Sequence, residues 1–208
     1  KINYKNNTSN KKPSNVVLFT DEKFSTIGLK KQISNAEYSF ITDLVKSKNL
    51  KKEIISFDIS SKRKIILVSI KKNIKLYEVE KLGAKFYDLY KELRQNKFNV
   101  NTNTLSSNSD KLIGHFLHGI RLKSYIFDKY KTKKDKNNFQ IDILTKKHFK
   151  INQDKRFNSI LEGIKFTKDL VSEPGNILHP DEYAKRINSL KKLGLKINIY
   201  DEKKLKKL

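Results

Sequence analysis

The spacing of apolar residues along the chain predicts a series of short strands. Val16 to Phe19 form a continuous apolar run that is typical of a buried strand. The apolar runs Glu53 to Ile59 and Ile65 to Ile70 are separated by a polar turn and therefore predict a hairpin. The second of these runs is apolar on both faces, which places it in the centre of a sheet. Alternating runs at 98–101 and 139–143 predict two more strands.

Apolar residues recur at helical spacing between these strands. The predicted helices run from Ala36 to about Val45, from Glu78 to Asn96 and from Ser109 to about Ile120. The alternation of strands and helices predicts an α/β fold in which helices cover both faces of a mixed sheet. The polar residues 1–14 are predicted to be a frayed lead-in.

The pattern after residue 150 predicts a second set of elements. A long amphipathic helix should end before Pro174 and Gly175, and another should begin at Pro180, where a first-turn proline is tolerated. That helix should stop at Gly194, before an alternating strand at 195–199 and a last helix that begins after Asp201.

These elements predict three parts of the chain. Residues 1–147 are expected to form an N-terminal α/β domain, and residues 148–175 a linking helix and turn. Residues 176–208 are expected to be the start of an incomplete second α/β domain.

Four histidines are the first candidates for chemistry. His115 and His118 are three positions apart on a predicted helix, a spacing that can place both on one metal ion. No carboxylate at a matching spacing completes the set and no Glu follows His115, so we interpret both as solvent-facing or capping residues. His148 and His179 stand singly in loop-like contexts and carry no stronger indication.

Other catalytic patterns are missing from the sequence. Adjacent acids occur at Asp21-Glu22, Asp181-Glu182 and Asp201-Glu202, after a strand or at helix starts, where acids are usually structural. The seven glycines form no G-x-G-x-x-G or G-x-x-x-x-G-K pattern that would cradle a phosphate, and no Ser lies in G-x-S-x-G. The sequence therefore predicts no catalytic, metal-binding or substrate-binding residue in this chain.

Aromatic residues are interleaved with lysines between Ser124 and Lys133. Such a segment can stack nucleic-acid bases. At these spacings we favour the packing of a helix end against the sheet.

The chain carries a net charge of +24, with 46 lysines and arginines against 22 acidic residues. Such a surplus can neutralise phosphates, which makes nucleic-acid binding an alternative function. Only five of these residues are arginines, although bidentate phosphate recognition favours arginine, and the lysines are spread over every segment. We therefore favour compositional drift over a dedicated polyanion surface.

The absence of cysteine rules out disulfides and thiolate metal sites. There is no apolar run long enough to span a bilayer and no secretory leader pattern, which predicts a cytoplasmic protein. Since the chain starts at Lys1 and contains no methionine, we expect it to be trimmed rather than a complete translation product.

The junction from Lys168 to Ala184 resembles a segment of the leucyl aminopeptidases, the cytosol aminopeptidase family. The family form is Arg-Asp-Leu-Val-Asn-Glu-Pro-x-Asn followed by a proline-led helix start, from which Lys168 and Ser172 depart conservatively. Residues 124–131 are similar to the family's Ser-Tyr-Arg-Phe-Asp-x-Tyr-Lys, with Ile126 in place of arginine, and the tail 194–205 resembles the entry to the catalytic domain. The matching junction residues are Asp169, Leu170, Val171, Glu173, Pro174, Asn176 and Pro180.

The resemblance implies a subunit with a macro-domain-like N-terminal domain, a long linking helix and a larger catalytic domain. Family members remove N-terminal residues, leucine preferred, from peptides, and they use two divalent metal ions, zinc or manganese, to activate a bridging water. Their metal ligands are a lysine and carboxylates that lie downstream of Leu208. The resemblance therefore implies that this segment is inactive and binds neither metal ion. The full-length protein is expected to be a homohexamer that acts on peptides and has no membrane partner.

Two alternatives stay open from the sequence. The macro-like fold implied by the resemblance could bind a nucleotide or ADP-ribose, although no glycine-rich phosphate loop supports this. The chain could also be a basic nucleic-acid-binding module, since some bacterial family members bind DNA. Its DNA affinity should then fall steeply with salt.

Overall fold

The computed structural model describes residues 1–5, 14–47, 52–94, 96–105, 109–134, 138–144 and 151–207. These residues form two compact units, Lys1–Leu161 and Glu162–Leu208. The boundary between the units lies inside the segment predicted to be the linking helix. The predicted domain limits at residues 147 and 175 stay predictions.

The described residues form six strands and six α-helices. The strands are β1 (Ile2–Lys5), β2 (Asn15–Thr20), β3 (Ile54–Ser60), β4 (Arg63–Ser69), β5 (Lys97–Asn101) and β6 (Gln140–Leu144). The helices are α1 (Asn35–Ser47), α2 (Leu76–Tyr90), α3 (Ser109–Lys123), α4 (Ile151–Ser172), α5 (Pro180–Asn188) and α6 (Glu202–Leu205). Short 3₁₀ turns occupy Ile27–Leu29, Thr102–Thr104 and Ser189–Leu193.

The six strands form one mixed sheet in the order β1-β6-β5-β2-β4-β3. Neighbouring strands are parallel except in the β3–β4 hairpin, which is antiparallel. The four apolar residues of β4, Ile65 to Val68, are fully buried between β2 and β3, as expected for a strand that is apolar on both faces. The predicted α/β class with a mixed sheet is therefore confirmed.

Alternating residues of β2 divide the core between the two faces of the sheet. Val17 and Phe19 belong to the cluster that contains the inner residues of α2 and α3. Val16 and Leu18 belong to the opposite cluster, where Ile41 of α1 packs. Because side chains of a strand point alternately to its two faces, one fully buried strand supports helices on both sides.

Helices α2 and α3 approach each other closely at two glycines. A Cβ atom at Gly83 would overlap with the carbonyl oxygen of Phe116, and one at Gly119 would overlap with the carbonyl oxygen of Glu80. Beneath this crossing Phe86 is fully buried and lies 5.2 Å from Phe98 and 5.5 Å from Phe116, centroid to centroid. The absence of a side chain at both glycines allows the two helices to pack onto the sheet together.

The prediction that residues 1–14 are a frayed lead-in is wrong for their first part. Ile2–Lys5 forms the edge strand β1 and pairs parallel with β6, with Ile2 opposite Ile141. The Asn3 side-chain amide donates to the Asp142 carboxylate at 2.7 Å. A pairing partner this far along the chain leaves no local signal, and polar residues on an edge strand resemble a loop in the sequence.

Helix α2 is shorter than its apolar pattern predicts. It begins at Leu76 and ends at Tyr90, whereas the predicted helix ran from Glu78 to Asn96. The pattern continues because Leu93, beyond the helix, still packs against the core. The apolar pattern therefore continues as long as residues are buried, and it does not mark where the helical hydrogen bonds end.

The second unit confirms three of the predicted helix boundaries: the end of α4 and the starts of α5 and α6. Helix α4 ends at Ser172, and the Ile177 and Leu178 amides donate to the Pro174 carbonyl across the following turn. Helix α5 begins at Pro180 as predicted but ends at Asn188, before the predicted end at Gly194. The 3₁₀ turn Ser189–Leu193 follows it, with Gly194 as its C-cap at a left-handed φ of 85°. The Asp201 side chain accepts from the Lys204 amide and caps α6, as predicted.

The strand predicted at 195–199 is wrong. These residues are not paired in a sheet, and Leu195 and Ile199 are exposed. An alternating sequence forms a strand only where a partner supplies backbone hydrogen bonds, and the described residues of this unit provide none. Tyr183 on α5 is also exposed.

None of the described helices combines the length and the apolar character needed to cross a membrane.

Candidate functional site

A cavity of about 770 Å³ opens at the carboxyl ends of the central strands of the first unit. Its wall includes Thr20 and Asp21 at the end of β2, Ile70 after β4, and Thr104 after β5. Strand β4 lies on one side of β2, and β5, which comes later in the chain, lies on the other side. The strand order therefore reverses at β2. Open parallel sheets place ligand sites at such points.

The loop after β2 forms one rim of this cavity. The Asp21 carboxylate accepts hydrogen bonds from the Lys23 and Ser25 amides at 3.1 and 2.9 Å, and the Phe24 amide donates to the Asp21 carbonyl. Phe24 has a φ of 55°, unusual for a residue other than glycine, and its ring is buried. Asp21 therefore holds a strained turn in place, which fits the structural role predicted for it.

Thr20 and Thr104 line the same cavity but differ in their hydrogen bonding. The Thr104 hydroxyl accepts from the Phe19 amide at 2.9 Å and donates to the Asn101 carbonyl at 3.2 Å. The Thr20 hydroxyl is buried and has no partner among the described residues. Because Thr20 is one of the lining residues, its unsatisfied hydroxyl lies close to the space that a ligand would fill.

His115 and His118 share one carboxylate that the sequence did not reveal. Their Nδ1 atoms lie 3.1 and 2.9 Å from the two oxygens of Glu80, which stands on α2. The side chain of His118 is only 5% exposed, so the interpretation as solvent-facing or capping is wrong for His118, whereas the His115 side chain is 26% exposed. Glu80 lies 35 positions before His115, and only the close crossing of α2 and α3 brings the three together.

The ring of Phe157 covers this histidine pair. It lies edge-on 4.9 Å from the His115 ring and tilted 5.1 Å from the His118 ring. The Nε2 atom of His118 is buried without a partner among the described residues. With Glu80 occupying both Nδ1 positions, the arrangement is a buried polar contact between helices.

The remaining candidate residues have structural positions. His179 is the N-cap residue of α5 without a side-chain cap, and His148 lies outside the described residues. Asp181 and Glu182 occupy the first turn of α5, where carboxylates favour the helix dipole. A hydrogen bond from Arg186 lowers the pKa of Glu182.

The junction that resembles the aminopeptidases contains a buried ion pair. The side chain of Glu173 is 1% exposed, and the Arg186 guanidinium donates to it at 2.8 Å while also donating to Glu182 at 2.9 Å. The hydrogen bond to Glu173, followed by that to Glu182, raises the pKa of Arg186. This pair ties the end of α4 to α5, so the junction motif has a structural role in this chain.

The aromatic segment after α3 lies in a loop. Phe127 and Tyr130 have their ring centroids 5.9 Å apart, and the Lys129 ammonium lies 5.5 Å from the Tyr130 ring. Tyr130 is half-exposed, and residues 125–131 form no helix or strand. The predicted packing of a helix end is therefore replaced by packing within the loop.

The metal ions implied by the resemblance do not fit the residues that the structure describes. Among the residues that the structure describes, no group of three or more His, Asp or Glu side chains is arranged to hold a metal ion. The carboxylate and imidazole groups that do meet, at Glu80, form two hydrogen-bond contacts through the histidine Nδ1 atoms.

Comparison with known proteins relates the chain to one family. It is 38% identical over 103 residues to a probable cytosol aminopeptidase of Phytoplasma mali, covering 46% of this chain and 21% of that protein. It is 32% identical over 141 residues to a probable cytosol aminopeptidase of Persephonella marina, covering 64% of this chain and 28% of that protein. The chain thus spans less than a third of the length of either relative. No family model matches it.

Solved structures share the fold over most of the chain. A tomato leucine aminopeptidase mutant superposes with a TM-score of 0.73 at 17% identity, covering 99% of this chain and 45% of that one. The bottromycin maturation enzyme BotP in complex with Mn gives a TM-score of 0.62 at 12% identity, covering 94% of this chain and 40% of that one. The sequence relatives support a likeness to the N-terminal portion of the leucyl aminopeptidases, the cytosol aminopeptidase family, and the solved structures show that the fold is shared.

Proposed function

We propose that the chain is the non-catalytic N-terminal part of a metal-dependent aminopeptidase that removes N-terminal residues, preferably leucine, from peptides. The observation that carries the proposal is the 32% identity to a probable cytosol aminopeptidase over 141 residues, nearly two thirds of this chain. The match extends over much more than the junction motif, so it supports common descent rather than a shared local turn.

The distribution of chemical groups supports a non-catalytic role for this part. The catalytic ligands implied by the resemblance belong to downstream residues, and the described residues contain no metal-binding group. In the proposed enzyme the bound metal ions would polarise the scissile carbonyl and activate water. The junction residues have a structural role instead, because Glu173 and Arg186 hold α5 against the end of α4.

A comparison of two proteins tests this proposal. The 208-residue chain and a version extended by the downstream coding sequence are assayed for hydrolysis of leucine p-nitroanilide with Mn²⁺ or Zn²⁺ added. We expect no hydrolysis by the chain, and hydrolysis by the extended protein that a chelator abolishes. Chelator-sensitive hydrolysis by the 208-residue chain, or an extended protein without aminopeptidase activity, would contradict the proposal.

The assembly and location of the full-length protein are part of the same proposal. The relatives' printed name, cytosol aminopeptidase, supports a cytoplasmic location. We propose a homohexamer for the extended protein, which light scattering coupled to gel filtration would measure directly.

A further inference from the structure

Charges of both signs line the cavity at the carboxyl ends of the central strands. Glu22 lies on the loop after β2, Lys71 and Lys72 follow β4, and Lys111 lies in the first turn of α3. None of these four side chains forms an ion pair with another residue in the described part of the chain. Opposite charges therefore face one cavity without neutralising each other, whereas Asp21 is already engaged by its own loop.

The Thr20 hydroxyl provides a second, independent indication of a ligand. Thr20 is 8% exposed, lines the cavity and finds no hydrogen-bond partner among the described residues. Leaving a buried hydroxyl unsatisfied is unfavourable, so positions of this kind are retained where something else completes the bond. The neighbouring Thr104 hydroxyl, which is fully engaged, shows that the local fold can satisfy such a group.

Apolar side chains make up much of the remaining wall. Leu29, Ile74 and Leu112 are among them, and the cavity volume of about 770 Å³ lies within the usual range of small-molecule sites. A simple anion would contact the lysines but leave Glu22 opposed to it, and a simple cation would be repelled by the lysines. A ligand with both charges and an apolar body matches all of these groups.

We propose that this cavity binds a short zwitterionic peptide with apolar side chains. Its carboxylate lies near Lys71, Lys72 and Lys111, its ammonium group near Glu22, and a polar backbone group at the Thr20 hydroxyl. Binding to the 208-residue chain does not depend on the aminopeptidase proposal.

The probe for this site is the dipeptide Leu-Leu, titrated into isotopically labelled 208-residue chain and followed by NMR. Typical ligand efficiency for a molecule of this size gives a Kd of about 0.2 mM. N-acetyl-Leu-Leu lacks the ammonium group and Leu-Leu amide lacks the carboxylate. Each should bind about fivefold more weakly, the usual effect of one solvent-accessible ion pair.

Substitutions in the cavity test which residues bind the carboxylate of the dipeptide and which bind its ammonium group. Lys71→Gln with Lys72→Gln should remove the preference for the free carboxylate, and Glu22→Gln should remove the preference for the free ammonium group. Lys191→Gln with Lys192→Gln makes the same change in charge on the exposed 3₁₀ turn outside the cavity, and should leave Leu-Leu binding unchanged. Thr20→Val should weaken binding about threefold to tenfold while the circular dichroism spectrum and Tm are retained.

Three results would overturn the proposal. The first is the absence of saturable shifts at cavity residues with Leu-Leu up to about 10 mM. The second is tighter binding of N-acetyl-Leu-Leu than of Leu-Leu, which would define a plain anion site. The third is an equal loss of binding in the control pair of lysines, which would make the effect one of overall charge.

Discussion

The two compact units of this chain differ in what holds their helices. In the first unit the inner faces of α2 and α3 close over a continuous core that includes the fully buried Phe86. In the second unit Leu170 is the one described apolar residue that is buried, while Val171 is 82% and Leu193 77% exposed. There the helix ends are defined by caps and by the Glu173–Arg186 pair. Local signals can thus fix where helices start and stop without a core around them.

Removal of a core side chain should have the largest effect on this contrast. Phe86→Ala deletes a ring that is packed against Tyr90, Phe98 and Phe116, so we expect a loss of about 3–5 kcal/mol in the free energy of unfolding. Val171→Ala, at the most exposed of these positions, should change it by less than about 0.5 kcal/mol. Urea unfolding followed by circular dichroism measures both. Equal losses in the two variants would mean that the second unit has a core of its own.

Replacing each of two helical glycines by alanine should change the stability in opposite directions. Gly119→Ala places a methyl group against the Glu80 carbonyl, and we expect it to destabilise the first unit by about 1–3 kcal/mol. Gly163→Ala on α4 meets no atom within 4 Å and should stabilise the helix by about 0.5–1 kcal/mol. Thermal unfolding of the two variants gives the comparison. If Gly119→Ala were stabilising as well, the close crossing of α2 and α3 would be incorrect.

The smallest expected effect concerns the ion pair between Glu37 and Arg63 in the first unit. Partial burial opposes ionisation of Glu37, but hydrogen bonds from Arg63, at 2.6 Å, and from the Ser34 amide lower its pKa below the usual 4.5. A carboxyl with a lowered folded-state pKa contributes stability above its unfolded-state pKa, and this contribution is lost as the pH falls through the folded-state value. Glu37→Gln should therefore flatten the fall in stability below about pH 4.5, by under about 1 kcal/mol after solvent screening.

Urea unfolding at a series of pH values measures this effect. Arg63→Gln serves as the matched variant because it removes the partner and keeps the carboxyl, so it should flatten the same part of the profile. A Glu37→Gln variant that retains the full slope of the unsubstituted chain would show that the pair contributes nothing to the acid sensitivity.

The successes and failures of the sequence-based prediction follow the range of the interactions involved. The β3–β4 hairpin and the start of α5 at Pro180 depend on neighbours within a few residues, and both were predicted. Strand β1 depends on a partner near residue 141, and the contact of Glu80 with the two histidines depends on how two helices cross. Neither leaves a local pattern. The strand predicted at 195–199 failed for the converse reason, since its alternation is present but no described residue pairs with it.

The sequence by itself determined the α/β class, most element boundaries and the resemblance to the aminopeptidases, because periodicity, prolines, caps and a junction motif are properties of short segments. Only the tertiary structure decided which side chains meet. It joined His115 and His118 to Glu80 through two facing glycines, and it gathered Thr20, Glu22 and three lysines around one cavity. The physical reason is that a sheet brings the ends of distant strands to a single edge, so the chemistry found there belongs to no single segment of the chain.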